Sequence, residues 1–395
     1  MCSTKTIKPS FINANASNDK QITNSGKRPS LIFFVSEDWY FYSHRLPLAK
    51  AAQNAGFDVA VITRINDHEN IIRQAGIRII PFELDRGGMN LFTDLSTITK
   101  LIHIYKHERP DIIHNVALKP VMYGSIAAKF SGVPHTINAL TGLGWLFTSQ
   151  SLKARVLSRI VIKILRYLLK SSHVILQNKS DVGLVNNWRI PRTYLVEGAG
   201  VDTEIYRPSS EPEGIPLVIL PARMLWDKGV GDFVQAAKIL KNKNVEARFI
   251  LVGSPDPKNP SSVSQKQLSD WEVEGVVELW GHRTDMPVVF RNIHIVCLPS
   301  YREGLPKVLI EACASGRPIV TTDVPGCRDI VSTKFNGLLV PPHNSEALAQ
   351  ALGRLISDQE LRQSMGKRGR KLATQKFSQD QIISETLSVY QEALG

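Results

Sequence analysis

The feature that most constrains this chain is an alternation. From Leu31 onward, short β-branched runs are interleaved with stretches of helical period: LIFFVS, then SHRLPLAKAAQNAG; DVAVIT; IRIIPF; DLSTITKLIHIYKHE; DIIHNV; a helical stretch near 121–131; HTINAL. Strands apolar along their whole length and separated by helices belong in a parallel sheet covered on both faces. A second series starts at LVILPA and continues with ARFILVG, VVELWG, IHIVCLPS, PIVTTD and NGLLVPP. Between the two series, residues 197–216 (EGAGVDTEIYRPSSEPEGIP) read as a Pro/Gly/Glu linker. The expected fold class is α/β, with two doubly wound domains that face each other across a cleft and bind ligands at the carboxyl ends of their strands. The expected divisions are a disordered tail over 1–29, a first domain over 30–205, a second over 206–378, and a closing helix over 379–395 that crosses back to the first.

At 395 residues, 43% of them hydrophobic, the chain can build two cores. Its net charge of +12 is lopsided: residues 1–205 carry 25 Lys and Arg against 15 Asp and Glu. An anionic membrane surface or a diffuse solvated charge accounts for that. The zinc-finger spacing, helix-turn-helix pattern and aromatic RNA-binding strand that would point to nucleic acid are all missing. Cys2, Cys297, Cys313 and Cys327 are too scattered for a disulfide framework or a zinc site, which suits a reducing compartment. The first 29 residues lack the apolar core of a signal peptide, and no later run reaches membrane-spanning length without charge. The expected location is cytoplasmic, peripheral at the inner face of the plasma membrane.

Two stretches carry the chemistry. In residues 299–331, an apolar run ending in Pro299-Ser300 breaks at a Gly/Pro turn and enters a helix at Pro306. Glu303 lies just outside this helix and Glu311 on its second turn. Were the span fully helical, they would sit about 12 Å apart along the axis, too far to share a proton and suited to holding two ends of a longer ligand. The amides of Gly304, Leu305 and Lys307 at the helix start could face an anion between them. Upstream, the apolar strand of residues 216–240 ends in Arg223, and a helix begins near Asp227 and Lys228, so two cations flank one strand-to-helix loop. The bland alternative is that glutamate near a helix start is ordinary dipole complementation.

Together these two stretches resemble the family 4 retaining glycosyltransferases of GT-B fold. With residues 37–50 (EDWYFYSHRLPLAK) and 117–149 (ALKPVMYGSIAAKFSGVPHTINALTGLGWLFTS), they are similar to the bacterial enzymes that add N-acetylhexosamine to polyprenyl-diphosphate-linked sugars. The resemblance implies a UDP-sugar as co-substrate with no separate cofactor, and a polyprenyl-diphosphate-linked sugar as acceptor. It also implies that Arg223 and Lys228 neutralise the leaving diphosphate, that Glu303 faces the donor sugar, that Glu311 binds ribose hydroxyls, and that His282 and Arg283 lie in the base-binding loop. Arg283 pairing with Asp285 is the competing structural reading. No D-x-D triplet occurs, and no bound metal is expected. Other readings are a nucleotide-sugar epimerase of the same fold and a non-catalytic scaffold that binds nucleotide sugars or membranes.

On the acceptor side the candidates are His44, Lys119, Tyr123, Asn138 and Thr141. His114, at the carboxyl end of DIIHN, is a candidate catalytic or acceptor-positioning residue or else a hydrogen-bonded core histidine. The aromatics Trp39, Phe41 and Tyr42 either line the cleft or pack against neighbouring loops. In residues 151–170, Arg155, Arg159, Lys163, Arg166 and Lys170 recur on one side of a helix. Val156, Leu157, Ile160, Ile164, Leu165, Leu168 and Leu169 form a wide apolar face, which is the outline of an interfacial helix. A helix packed on the sheet with a solvated basic face is the alternative.

Overall fold

The computed structural model describes residues 28–84, 91–143 and 152–395, with side chains from Thr93 and from Ser158 onward in the two helices that open the later segments. Residues 1–27 of the expected 1–29 tail, the part of the TGLGWLFTS loop from Gly144, and the side chains of Arg155, Val156 and Leu157 lie outside the described residues. Residues up to Ala199 together with Gln381–Gly395 group into one compact unit, and Gly200–Asp380 into another.

The first unit holds seven parallel strands: β1 (Ser30–Glu37), β2 (Asp58–Arg64), β3 (Arg78–Pro81), β4 (Ile112–Val116), β5 (His135–Leu140), β6 (His173–Leu176) and β7 (Thr193–Leu195), in the order β3-β2-β1-β4-β5-β6-β7. The continuous LIFFV run of β1 is explained by burial on both sides. Leu31, Phe33 and Val35 face a core shared with Ile382, Val389 and Tyr390, while Ile32 and Phe34 face one shared with Leu101 and Leu165. The helix Gln379–Leu394 thus belongs to this unit's core. Strands β6 and β7 go beyond the runs read from the sequence; at 4 and 3 residues they are too short to carry a periodic signal.

The second unit holds six parallel strands: β8 (Leu217–Pro221), β9 (Arg248–Val252), β10 (Glu278–Gly281), β11 (Ile295–Leu298), β12 (Ile319–Thr322) and β13 (Gly337–Val340), in the order β10-β9-β8-β11-β12-β13. Successive residues of β11 again face opposite cores, Ile295 and Cys297 on one side and Val296 and Leu298 on the other. In each sheet the strand order reverses beside the first strand, between β1 and β4 and between β8 and β11. A doubly wound sheet opens a ligand crevice at the carboxyl ends of such a strand pair.

Three local differences from the sequence reading matter. Residues 38–44, whose helical period was read only from Ser43 onward, form the helix Asp38–His44. Its first residue is fully buried, and its carboxylate accepts the Asn66 and His68 amides at 2.7 and 3.0 Å, tying the end of β1 to the end of β2. Phe41 packs inward against Phe33, whereas Tyr42 is exposed beside His68. Residues 200–216 do not hang free, because three arginines hold them to the second unit. Arg317 donates to Ser209 and Ser210, Arg362 forks onto Glu211, and Arg370 donates to the Thr203 and Tyr206 carbonyls.

The helix Leu152–Leu169 buries a narrower stripe than expected: Val161, Leu165, Leu168 and Leu169 pack inward, but Ile160, Ile164 and Tyr167 are exposed beside Arg159, Lys163, Arg166 and Lys170. The apolar arc read from the sequence is wider than one sheet face can cover. None of the described helices is long and apolar enough to cross a membrane.

Candidate active site

The crevice of the second unit is built by two loops that bind each other. After β8 the chain passes Arg223 and a single 3-10 turn, Trp226–Lys228, before Gly229 (φ +71°) starts the helix Val230–Asn242. A Cβ at position 229 would come within 2.1 Å of the Pro299 carbonyl oxygen, so only glycine lets this loop seat against the end of β11. The Tyr301 amide donates to the Asp227 carbonyl at 2.9 Å, and Arg302 faces Asp227 at 3.5 Å. At the centre Lys228 Nζ meets Glu303 Oε1 at 2.5 Å, and the buried Ser300 hydroxyl donates to the same oxygen at 2.6 Å. The turn is held from below as well. Thr322 donates to the Ser300 carbonyl, Tyr301 donates to Asp232 at 2.9 Å, and Gly326 packs so closely that a Cβ would lie 2.3 Å from the Gly304 oxygen.

The helix opens one residue later than expected, at Lys307, because Pro306 stays extended (φ −72°, ψ 111°). Glu303 is therefore not on the helix, and the helical estimate of its separation from Glu311 does not apply. Gly304 sits in the turn and Leu305 is buried in the second unit's core. Glu311 is largely buried, 3.6 Å from Lys307 Nζ, and bonded to the Tyr206 phenol. Burial, followed by that carboxylate, pushes the Tyr206 hydroxyl well above its usual range, so it stays protonated. The two glutamates thus have separate partners, as the sequence spacing implied.

Other donor-side candidates are placed differently. Arg223 does not join Lys228; it pairs with Asp256 at 2.7 Å and remains 41% exposed. Arg283 forks onto Asp285 at 2.7 and 2.6 Å, the structural reading weighed above. It lines a small cleft with Trp280, Val288, Val289 and Asn292, and His282 is exposed beside it. Cys327 is buried near Glu303, and burial, reinforced by that carboxylate, pushes its thiol up to about 12. The three described cysteines, Cys297, Cys313 and Cys327, are free and buried.

In the first unit several candidates are core residues. His114 is fully buried, bonded through Nδ1 to the Tyr390 hydroxyl at 2.7 Å and packed on Phe33. Burial, then the nearby Arg45 charge, drives its pKa well below the usual histidine range, so the ring is neutral. Asn138 is likewise fully buried, accepting from Asn115 and Ser125 and donating to Ser172 at 2.9 to 3.0 Å. Tyr123 is part of the same unit's core. All three are buried, His114 and Asn138 in internal hydrogen bonds and Tyr123 by packing, so His114 takes the hydrogen-bonded core position that was the alternative reading of it. His44 stacks on Tyr40, with centroids 4.2 Å apart, and shares a hydrogen bond with Ser43. Lys119 is half-buried in the first turn of the helix Leu118–Ser131, and Thr141 is half-buried after β5.

Sequence reasoning missed Ser300, Tyr206 and Asp256. Ser300 could have been found, since it lies three residues from Glu303 in one turn. Tyr206 and Asp256 reach their partners only through the fold.

Two family models match. The description "Glycosyl transferase 4-like" fits residues 30–179, and "Glycosyl transferases group 1" fits residues 201–372. The chain is 29% identical to the N,N'-diacetylbacillosaminyl-diphospho-undecaprenol alpha-1,3-N-acetylgalactosaminyltransferase of Campylobacter jejuni, over 89% of this chain and 96% of that one. It is 25% identical to the UDP-Gal:alpha-D-GlcNAc-diphosphoundecaprenol alpha-1,3-galactosyltransferase of Escherichia coli, over 69% and 73% of the two chains. Among solved structures, Anabaena HepE in complex with UDP superposes with a TM-score of 0.72 at 20% identity, covering 91% of this chain and 100% of that one, a likeness of fold. Two doubly wound parallel sheets and two matching family models make this chain a member of the family 4 glycosyltransferases of GT-B fold.

Proposed function

We propose that this glycosyltransferase moves a hexosamine, N-acetylgalactosamine or N-acetylglucosamine, from its UDP-sugar to a sugar carried on polyprenyl diphosphate, with retention of anomeric configuration. The observation that carries the reading is the Lys228–Glu303–Ser300 cluster at the β8/β11 switch point. The printed name of the Campylobacter relative, matched along 96% of its length, supports the choice of donor and acceptor class.

In this reading the donor diphosphate takes Lys228 from Glu303. Lys228 then stabilises the charge that develops as the glycosidic bond to UDP breaks. Glu303, still held by Ser300, turns its carboxylate to the sugar hydroxyls, and Glu311 exchanges Lys307 and Tyr206 for the ribose hydroxyls. An inverting reaction needs a base opposite the leaving group. His114, neutral and enclosed, is poorly placed for that, so the departing diphosphate takes the acceptor proton on the same face. Arg223 contributes less than Lys228, its charge being shared with Asp256 in an exposed pair.

Peripheral attachment to anionic lipid is part of the same proposal, supported by the exposed Ile160, Ile164 and Tyr167 between four basic side chains. The test is UDP release from a panel of UDP-sugars, each with and without a short-chain lipid-linked acceptor, followed by proton NMR of the product. Acceptor-dependent release and an α-linked product are expected. Consumption of UDP-N-acetylglucosamine without acceptor would indicate an epimerase, and a β-linked product would refute retention.

A further inference from the structure

The amino ends of the first unit's strands, away from the reacting groups, carry a cavity that no step of the proposed reaction uses. It has a volume of about 360 Å³ and lies where the helices Leu118–Ser131 and Leu152–Leu169 end, beside the start of β5. Its floor holds two buried hydroxyls, Ser125 and Ser172, and its rim is formed by the exposed Lys129, Tyr167 and Ser171. Asn138 already orients both floor hydroxyls. Ser125 Oγ donates to the Asn138 oxygen at 3.0 Å, leaving its own lone pairs for another donor. Ser172 Oγ accepts from the Asn138 amide at 3.0 Å and donates to the Leu169 carbonyl at 3.2 Å. Thr136 and Ser171 add two further hydroxyls to the lining.

The electrostatics divide the cavity into an inside and a mouth. A helix end gathers unpaired carbonyls, which repel an anion and accept from hydroxyls, so the interior suits hydroxyl groups and a negative charge belongs at the rim. Lys129 stands there. Its ammonium contacts the Tyr167 phenol and lies 4.3 Å from the centre of that ring, bridging the two helices, and among the described residues it pairs with no carboxylate. Lys170 adjoins Ser171, and residues 118–131 and 152–171 contain no Asp or Glu. Beyond the rim the surface is apolar as well as basic. Tyr167 is 63% exposed and Phe130, next to Lys129, 70%; Ile164 and Ile160 continue back along the helix among Arg166, Lys163 and Arg159.

We infer that this cavity is a headgroup site for one class of anionic phospholipid, those whose headgroup carries free hydroxyls. The headgroup hydroxyls bond to Ser125, Ser172 and Thr136, the phosphodiester draws Lys129 from Tyr167 at the rim, and Ile160 and Ile164 meet the acyl region. The cavity is larger than a bare phosphate requires, and its buried lining is hydroxylic where a site for phosphate alone would be cationic. Its charge sits at the mouth, continuous with the exposed apolar stripe that a lipid needs. The inference rests on the peripheral attachment proposed above and makes it selective, since a diffuse basic surface reads only the charge of the lipid.

The test is sedimentation of the full chain with phosphatidylcholine vesicles containing either phosphatidylglycerol or phosphatidylserine at one mole fraction, which matches their charge. The wild type should bind the phosphatidylglycerol vesicles about fivefold more tightly, the worth of one net hydrogen bond. Lys129→Met removes the rim charge and Ser171→Trp fills the cavity; each should erase the preference, and Lys129→Arg should keep it. Lys163→Met loses the same charge away from the cavity and should weaken binding to both vesicles alike. All three positions are exposed, so melting temperatures should not change. Equal binding of the two vesicles by the wild type, or a preference that survives Lys129→Met or Ser171→Trp, overturns the headgroup site and leaves charge-driven attachment standing. If the wild type binds neither vesicle, the attachment itself fails. Dihexanoyl phosphatidylglycerol below its micelle concentration then decides the site: it should raise the melting temperature of the wild type and not of Ser171→Trp, and no rise overturns the inference. Glycerol phosphate acting as well as the short-chain lipid would make this a site for a soluble polyol phosphate and overturn the lipid assignment.

Discussion

Replacing Lys228 by alanine separates the chemistry from the scaffold. Lys228 and Glu303 are 22% and 10% exposed at their side chains, with 2.5 Å between their charged atoms. Removing one partner of a buried pair costs about 3–5 kcal/mol. Both groups here still touch water, so about 1–3 kcal/mol of stability should be lost. Turnover should suffer independently: loss of a preorganised group that stabilises the leaving diphosphate is typically worth about 10²-fold, or about 2.7 kcal/mol of transition-state stabilisation. Released UDP measured at saturating donor, alongside thermal melting, resolves the two. Adding Glu303→Gln to the variant removes the stranded carboxylate and should recover part of the melting temperature without recovering turnover. A Lys228→Ala enzyme that melts lower and yet turns over at near-normal rate would refute the assignment of Lys228 to the diphosphate.

Glu311→Ala should weaken UDP binding in calorimetry, whereas Glu303→Gln should spare UDP and damage sugar transfer; equal weakening by both would contradict the separate partners seen for the two carboxylates. Burial pushes the Asp38 carboxyl up, but the Asn66 side chain and the His68, Asn66 and Trp39 amides outweigh it and hold the pKa below the usual aspartate range. A depressed folded pKa contributes stability above the unfolded value and loses it as pH falls through the folded one. Asp38→Asn should therefore cost about 1–3 kcal/mol at neutral pH and show a shallower acid limb below about pH 4; an unchanged acid limb would disprove the clamp. Charge reversal at Arg159, Lys163 and Arg166 should reduce sedimentation with anionic vesicles, at about 1 kcal/mol per charge near the surface, and the binding should fall with salt. Binding unchanged by the reversal would remove this helix from the membrane contact.

Much of the architecture was legible in the sequence because buried parallel strands write themselves as unbroken apolar runs, and LIFFV and IHIVCL can be nothing else once both faces are covered. The glutamate pair and the Arg223/Lys228 loop were legible for a related reason: each lies immediately after such a run, where the carboxyl end of a strand must emerge. What the sequence could not supply was the order in which the strands lie side by side. That order alone puts β8 next to β11 and so Lys228 onto Glu303, residues 75 positions apart. It likewise puts Tyr206 beside Glu311 and β1 next to β4. The periodicity of a helix fixes which side chains share a face but not how much of that face a sheet will cover, which is why Ile160 and Ile164 are exposed. Histidine and asparagine on apolar strands are equally ambiguous in sequence; their neighbours across the fold, Tyr390 for His114 and Ser172 for Asn138, made them core residues. Pattern determined the elements, and long-range adjacency decided which charges meet a partner.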